Sequence, residues 1–334
     1  MKVGVLGLGS WPLALAQALN DNGHEVLMWS AILEEVDEFN KNHTASKYID
    51  NVVFDSKMKA TTDISEICNH SKIILVGIPT KFYRDVLKTL STKLDSKKFF
   101  INVSKGIEPV THMLMSEIIS EEIDKKYVDD IINLTGPSHA EELVKFMETT
   151  LVSASVNLEN ARLVQSLFQN EYLRVYISDD LIGTQLVGAL KNIIAIAAGA
   201  LVGLGKGDNI KAALITRGLA ELRRYALLRG AKEETIYGLA GLGDLIVTTS
   251  SVHSRNFQAG YRIGQGENPQ NAINNSVMVV EGIRTCNAVV NQLSQLDIEM
   301  PISEAVYDVY YNNVDINEAI VRLMTREHRN FGEV

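Results

Sequence analysis

The stretch "VGVLGLGSWPLALAQALN", residues 3–20, decides the fold of the first half of this chain. An apolar run ends at Gly7-x-Gly9, and a pattern rich in alanine and leucine, typical of a helix, follows it. Glycines at these two positions allow a tight turn and let the backbone approach a phosphate group closely. The succession of strand, turn and helix favours a site for the pyrophosphate of a dinucleotide. A plain strand–helix turn is the alternative interpretation of this stretch alone.

Pro12 stands where the dinucleotide-binding pattern has its third glycine. Proline is tolerated in the first turn of a helix, where its missing N–H has no intrahelical partner. Because proline disfavours the α conformation of the residue before it, we predict that the helix begins no earlier than Pro12. We also predict that the ring holds helix and sheet slightly apart, and that it weakens or redirects cofactor binding without abolishing it.

Strand-like and helix-like segments alternate up to residue 180, whereas only helical patterns follow. We therefore predict an α/β protein, with a Rossmann-type doubly wound sheet in residues 1–180 and an all-helical domain in residues 181–334. The strands are predicted at 2–6, 25–29, 72–78, 98–103, 130–134, 150–155 and 173–177. The helices are predicted at 11–22, 82–94, 111–123, 158–169, 181–202, 208–229, 281–296 and 302–311.

The composition excludes several classes of protein. A net charge of −9 over 334 residues, without a basic stripe, argues against a nucleic-acid partner. Two distant cysteines predict neither a disulfide framework nor a zinc site, and we expect no metal. The two isolated cysteines fit a reducing cytosol, and no charged leader with a cleavage site precedes the first strand, so we expect a cytoplasmic protein. Residues 181–205 carry a single charge, Lys191, and we predict a buried core helix there rather than a membrane span.

Polar groups at the ends of two predicted strands are the first candidates for a functional site. Lys105, in "NVSKGIEP" (102–109), lies at the carboxyl edge of the sheet, where open α/β folds bind ligands. In "LTGPSHAEEL" (134–143), Gly136 makes a turn and Ser138 is a predicted helix N-cap. His139 is a candidate base, although a lone histidine at a helix start is more often structural.

The second half adds a lysine, an aspartate and an arginine. Lys191 lies within a nearly uncharged helix, where burial would lower its pKa toward the range of a general base. The alternative is a lysine that reaches solvent at the helix surface. Asp244 follows a glycine-rich run and is suited to orienting a lysine or a substrate hydroxyl. Arginine in Ser254-Arg255-Asn256 suits a phosphate group. The structural alternative is that Asp244 only forms a turn and Ser254 only caps a helix.

Taken together, eight blocks in order along the chain resemble the bacterial-type NAD(P)-dependent sn-glycerol-3-phosphate dehydrogenases. They are "GLGSW", "SKGIEP", "GPSHAEE", "GALKNIIAIAAG", "GDNIKAALITRGLAE", "GLGDLIVT", "HSRN" and "VVEGIRT". The resemblance implies a Rossmann domain joined to a helical domain. It also implies reversible hydride transfer between the cofactor and C2 of glycerol 3-phosphate or dihydroxyacetone phosphate. It assigns proton transfer to Lys191, assisted by Lys105 and Asp244. Substrate contacts are assigned to Lys105, Gly136, Ser138, Lys191, Asp244, Ser254, Arg255 and Asn256. Cofactor contacts fall on Gly7, Gly9, Ser10, Trp11, Lys105, Ala140, Arg255, Val279 and Glu281.

The resemblance leaves the choice between NAD(H) and NADP(H) open. Neither an acid nor an arginine follows the second strand directly, because the chain reads Trp29-Ser30-Ala31-Ile32 and its first acid is Glu34. Many family members carry arginine or histidine near positions 31 and 32. A β-hydroxyacid dehydrogenase and a non-catalytic dinucleotide sensor are the alternative functions. We expect a small phosphorylated substrate as partner, and a homodimer is the assembly that we consider.

Overall fold

The computed structural model describes residues 1–276 and 279–326. These residues form two compact units. The first comprises residues 1–104 and 114–181, and the second comprises residues 105–113 and the described residues from 182 onward. The segment Lys105–Met113 thus belongs to the second unit, although in the sequence it separates two parts of the first. The division into domains at residue 180 stays a prediction.

The first unit is built on an eight-stranded sheet with the strand order β3-β2-β1-β4-β5-β6-β7-β8. All neighbouring strands are parallel except β6 and β7, which are antiparallel. This arrangement confirms the predicted doubly wound sheet. The strands are β1 Lys2–Leu6, β2 Glu25–Trp29, β3 Lys59–Thr61, β4 Ile73–Val76, β5 Lys98–Asn102, β6 Val128–Thr135, β7 Thr149–Ala154 and β8 Leu173–Ser178.

Seven α-helices accompany the sheet in the described part of the first unit. They are α1 Ser10–Asp21, α2 Leu33–Asn42, α3 Ile64–His70, α4 Thr80–Ser91, α5 Met115–Glu122, α6 Ala140–Leu143 and α7 Leu158–Phe168. The central strands β1 and β4 are buried on both faces, as expected for parallel strands covered by helices. The prediction of a helix from Thr111 was wrong, because α5 begins at Met115.

The turn between β1 and α1 differs from the prediction at its proline. Helix α1 begins at Ser10, so the prediction that it starts no earlier than Pro12 was wrong. Pro12 is the third helical residue, where a backbone N–H has no intrahelical acceptor, and this position removes the main cost of proline. The Pro12 ring packs closely against Gly77, because a Cβ built at Gly77 would lie 2.4 Å from Pro12 Cγ. The missing side chain of Gly77 therefore provides space for the ring.

The described residues of the second unit form helices and connecting loops without a strand, in agreement with the helical domain predicted for residues 181–334. Its helices are α8 Leu181–Gly203, α9 Asp208–Leu228, α10 Glu233–Tyr237, α11 Asp244–Ser250, α12 Arg255–Gly264, α13 Pro269–Asn274, α14 Glu281–Val290, α15 Leu293–Leu296, α16 Pro301–Tyr311 and α17 Ile316–Met324. The predicted single helix over 281–296 is interrupted after Val290 and forms α14 and α15 instead.

Helix α8 is the core element of this unit. It is long and apolar enough to cross a membrane, but 78% of its most apolar 18-residue window is buried inside the protein. Glycines on both helices let α8 and α12 approach to backbone contact: a Cβ at Gly199 of α8 would lie 2.0 Å from Phe257 O, and one at Gly260 of α12 would lie 1.9 Å from Ile196 O. The predicted buried core helix is confirmed, and glycine fixes its distance to α12.

Candidate active site

Two ammonium groups converge on one carboxylate in the second unit. Asp244 is fully buried, and its Oδ1 accepts a hydrogen bond from Lys191 Nζ at 2.5 Å. Its Oδ2 accepts from Lys105 Nζ at 2.7 Å. Lys191 Nζ also lies 2.5 Å from Thr248 Oγ1, whose hydroxyl donates to the Asp244 carbonyl oxygen at 2.6 Å. We call these four residues the lysine–aspartate cluster.

Three different parts of the sequence build the lysine–aspartate cluster. Lys191 comes from the middle of α8 and Lys105 from the segment 105–113. Asp244 begins α11 directly after a π-helical turn at Leu239–Gly243. Within this turn, a Cβ at Gly241 would lie 2.1 Å from a backbone oxygen, so the chain can follow this path only with glycine. The glycine-rich run thus places the carboxylate within hydrogen-bond distance of both lysines.

The environment of Lys191 changes its proton affinity. Burial lowers the pKa of Lys191 to about 7, since little solvent remains to stabilise its charge. The Asp244 carboxylate opposes this shift and the Lys105 charge adds to it. The side chain is only 6% exposed, so the alternative of a lysine that reaches solvent is wrong. An amine with a pKa near 7 can both donate and accept a proton at neutral pH, which a general acid–base group requires.

The start of α12 holds the predicted Ser-Arg-Asn block. Ser254 is the N-cap, and its Oγ accepts from Phe257 N at 3.2 Å, as the structural interpretation of this serine expected. Arg255 is the first helical residue and is half-buried, so its positive charge adds to that of the helix N-terminus. Asn256 is buried, and its Oδ1 accepts from Gly282 N at 2.9 Å. This end of α12 combines groups that suit an anion.

The amide of Asn256 also connects two predicted binding segments. Gly282 is the second residue of α14, next to Glu281, and Val279 lies just before this helix. The resemblance assigns Val279 and Glu281 to the cofactor and Asn256 to the substrate. One hydrogen bond therefore joins a residue of the substrate set to the helix that begins with Glu281 of the cofactor set.

The glycine turn of the first unit fits a dinucleotide. Gly7 has a φ of +120°, and a Cβ there would lie 2.5 Å from Gly77 O, so this position requires glycine. A Cβ at Gly9, in contrast, would have no atom within 4 Å. No side chain caps α1, which leaves its positive end available to a pyrophosphate. Trp11 Nε1 is buried without a hydrogen-bond partner among the described residues.

The loop after β6 places three further candidates. Gly136 has a φ of +147°, and a Cβ there would lie 2.9 Å from Thr150 O. Ser138 was predicted as an N-cap, but the N-cap of α6 is His139, and Ser138 Oγ instead donates to Gly136 O at 3.0 Å. The hydroxyl thus stabilises the turn itself. Ala140 is the buried first residue of α6.

Sequence reasoning missed two residues, Thr248 and Glu35. Thr248 lies four positions after Asp244 on α11, and this spacing places both on one helix face. Glu35, the other omission, is brought back to the end of β2 by a hydrogen bond from Ser30. The linear sequence gave no signal for this contact beyond the presence of the acid.

Known proteins resemble this chain over nearly its whole length. Residues 2–161 match the family model of the NAD-dependent glycerol-3-phosphate dehydrogenase N-terminus, and residues 180–321 match that of its C-terminus. The chain is 47% identical to a glycerol-3-phosphate dehydrogenase [NAD(P)+] of Streptococcus agalactiae, over 99% of this chain and 98% of the relative. One from Macrococcus caseolyticus is 46% identical over 99% of both chains. The crystal structure of glycerol-3-phosphate dehydrogenase from Coxiella burnetii is similar with a TM-score of 0.93, 32% identity and coverage of 97% of this chain and 99% of that one.

Proposed function

The chain belongs to the NAD-dependent glycerol-3-phosphate dehydrogenase family, and on that basis we propose that it reversibly reduces dihydroxyacetone phosphate to sn-glycerol 3-phosphate with NAD(P)H. The reaction converts the ketone, the reduced cofactor and a proton into the alcohol and the oxidised cofactor. The observation that carries the proposal is a buried lysine with a pKa of about 7, held on a buried aspartate. Such a group is suited to moving one proton to and from an alcohol oxygen.

Lys191 is the proton-transferring residue of the proposed reaction. During reduction its ammonium donates a proton to the oxygen on C2, and during oxidation the neutral amine removes that proton. Asp244 and Thr248 hold Nζ in place by hydrogen bonds of 2.5 Å each. Lys105 shares Asp244 and adds a positive charge beside the oxygen that becomes negative.

The anionic groups of substrate and cofactor are bound by separate elements. Arg255 and the N-terminus of α12 bind the substrate phosphate, with Ser254 and Asn256 beside them. Gly136 and Ser138 complete the proposed substrate set. Gly7, Gly9, Ser10 and Trp11 hold the cofactor pyrophosphate at α1, and the bound reduced nicotinamide supplies the hydride. Ala140, Val279 and Glu281 complete the proposed cofactor set.

The cellular role follows from the product. We propose that the protein acts in the cytoplasm and supplies glycerol 3-phosphate for phospholipid synthesis. Its partners in this proposal are the phosphorylated substrate and a second copy of the chain in a homodimer.

The decisive experiment measures oxidation of NADH and of NADPH with dihydroxyacetone phosphate, and with a β-keto acid for comparison. We expect turnover only with the phosphate ester. Turnover with the keto acid instead would favour a β-hydroxyacid dehydrogenase, and nucleotide binding without turnover would favour a sensor.

The variant Lys191→Met tests the assigned proton transfer. We expect kcat to fall by about three orders of magnitude, because a positioned acid–base group contributes roughly 10²–10⁴ to the rate. The dissociation constants of the nucleotides should hardly change. Lys206→Met, at an exposed lysine beyond the end of α8, is the matched control and should keep full activity. A Lys191→Met protein that retains wild-type kcat would refute the role.

A further inference from the structure

We propose that Glu35, held by Ser30 at the carboxyl end of β2, binds the 2′-hydroxyl of the cofactor's adenosine ribose. This contact makes the protein prefer NAD(H) to NADP(H). The inference rests on the proposed function, since it assumes that a dinucleotide binds at the glycine turn. It concerns only the choice between the two nucleotides.

Ser30 occupies the part of the sheet where the ribose is expected. It follows β2 directly, and its backbone N donates to the carbonyl oxygen of Thr61, the last residue of β3, at 3.2 Å. The preceding Trp29 O accepts from Gly7 N at 2.9 Å, so the end of β2 lies beside the glycine turn. In doubly wound folds an acid near this point binds the ribose 2′-hydroxyl, whereas an arginine accepts a 2′-phosphate.

The structure brings an acid to this point from the first turn of α2. Glu35 Oε2 accepts a hydrogen bond from Ser30 Oγ at 2.8 Å. Its Oε1 accepts from Lys47 Nζ at 2.8 Å and from Tyr48 OH at 2.6 Å. Ser30 Oγ in turn accepts from Ile32 N at 3.2 Å, which fixes the hydroxyl. Glu35 is therefore anchored to the end of β2, although six positions separate it from Trp29 in the sequence.

The carboxylate is both charged and fixed in place. Burial alone raises the pKa of Glu35, but the hydrogen bonds from Lys47, Tyr48 and Ser30 outweigh it, so the pKa lies below its ordinary value. The side chain is only 11% exposed. Three donors leave lone pairs on the two oxygens, and a ribose 2′-hydroxyl can donate to one of them. A 2′-phosphate has no such proton to give when doubly ionised and meets a like charge.

The cations near this site do not reverse that preference. Positions 31 and 32 are alanine and isoleucine, so neither supplies a charge. Lys47 is 48% exposed at its side chain, but its ammonium is paired with Glu35. A 2′-phosphate can recruit Lys47 only by weakening that pair, which leaves the carboxylate charge less compensated. NADP(H) therefore binds, but less tightly than NAD(H).

The test compares Glu35→Gln with Glu34→Gln by calorimetric titration of NADH and NADPH. Both substitutions remove one negative charge from the first turn of α2. Glu34 is exposed and makes no hydrogen bond or ion pair with a described residue, so it is the matched control. We expect wild-type protein and Glu34→Gln to bind NADH about tenfold more tightly than NADPH, as one charge-assisted hydrogen bond implies. In Glu35→Gln the NADH dissociation constant should rise and the NADPH one fall, so that the ratio approaches one.

The variant Ser30→Ala is a second test of the inference, and turnover of dihydroxyacetone phosphate tests the proposed function separately. Ser30→Ala keeps the carboxylate but removes one of its anchors, and it should shift the ratio in the same direction by a smaller factor. Tighter binding of NADPH than NADH by the wild type, or equal effects of the two glutamine variants, would overturn the inference while turnover of dihydroxyacetone phosphate remains. If neither nucleotide binds, the proposed function and this inference both fail.

Discussion

At the scale of single residues, the burial of Lys191 determines how the proposed reaction depends on pH. The pKa of about 7 means that the ammonium form dominates below that pH and the amine form above it. Reduction requires the ammonium as proton donor, so its kcat should fall as pH rises through about 7. Oxidation requires the amine, so its kcat should rise over the same interval. Initial rates in both directions check this, and parallel profiles would contradict it.

Asn256 permits a test of a side chain with two distinct ends. Its Oδ1 accepts from Gly282 N, while Nδ2 is the end that can donate to a phosphate. Asn256→Asp keeps an acceptor for Gly282 but adds a charge that repels the substrate. We expect it to raise the substrate KM by at least about tenfold and to leave the NADH dissociation constant nearly unchanged.

The companion variant Asn256→Ala removes both ends of the amide. It leaves Gly282 N–H without its acceptor at the start of α14, beside the proposed cofactor residue Glu281. We expect this variant to weaken both substrate and NADH binding. Equal NADH affinities in Asn256→Ala and the wild type would show that the contact with α14 does not matter for the cofactor.

At the scale of secondary-structure elements, Pro12 and Gly77 control the packing of α1 on the sheet. A Cβ at Gly77 would lie 2.4 Å from Pro12 Cγ and 3.1 Å from Val103 Cγ2. We expect Gly77→Ala to lower the free energy of unfolding by about 1–3 kcal/mol, the usual range for overpacking. In the background of Pro12→Ala, which removes Cγ, the same substitution should cost at least about 1 kcal/mol less.

Urea denaturation of the four proteins in this double-mutant cycle provides the measurement. Additive effects of the two substitutions would show that the ring and the glycine do not interact. The proposal that Pro12 weakens or redirects cofactor binding needs a separate titration of NADH with Pro12→Gly, in which an unchanged affinity would count against it.

At the scale of the whole molecule, the segment 105–113 provides a charge to a unit that is otherwise built from residues after 181. The Lys105 charge lowers the pKa of Lys191, so its removal in Lys105→Met should raise that pKa. The midpoint of the kcat profile for reduction should move to higher pH. Lys206→Met serves again as the exposed control. A midpoint that stays in place or moves to lower pH would contradict the shared cluster.

The sequence predicted the elements whose residues alternate regularly and missed those that depend on distant contacts. The long apolar pattern of α8 and the buried run of β4 are local signals, and both elements were found. The three-residue β3 has too few residues to show a period, and it is defined only by its pairing with β2. The start of α1 was misplaced because proline only disfavours the α conformation of the residue before it, and Trp11 is helical in spite of it.

The candidate site likewise combines residues with a local sequence signal and contacts that only the fold creates. Lys191 was recognisable because an isolated charge in an apolar helix requires a partner. The resemblance grouped Lys105, Lys191 and Asp244, but sequence spacing could not show that both lysines bind the one carboxylate, since 139 positions separate Lys105 from Asp244. The return of Glu35 to the end of β2 likewise depends on a hydroxyl whose direction the sequence does not encode locally.

The shared position of Asp244 has a consequence for what happens after the proton leaves. In a simple ion pair, an amine that loses its proton abandons a buried anion, and that cost opposes the transfer. Here Lys105 still compensates the carboxylate when Lys191 becomes neutral. The total charge of the two lysines and the aspartate then alternates between +1 and zero. No uncompensated negative charge is therefore left in the interior during turnover.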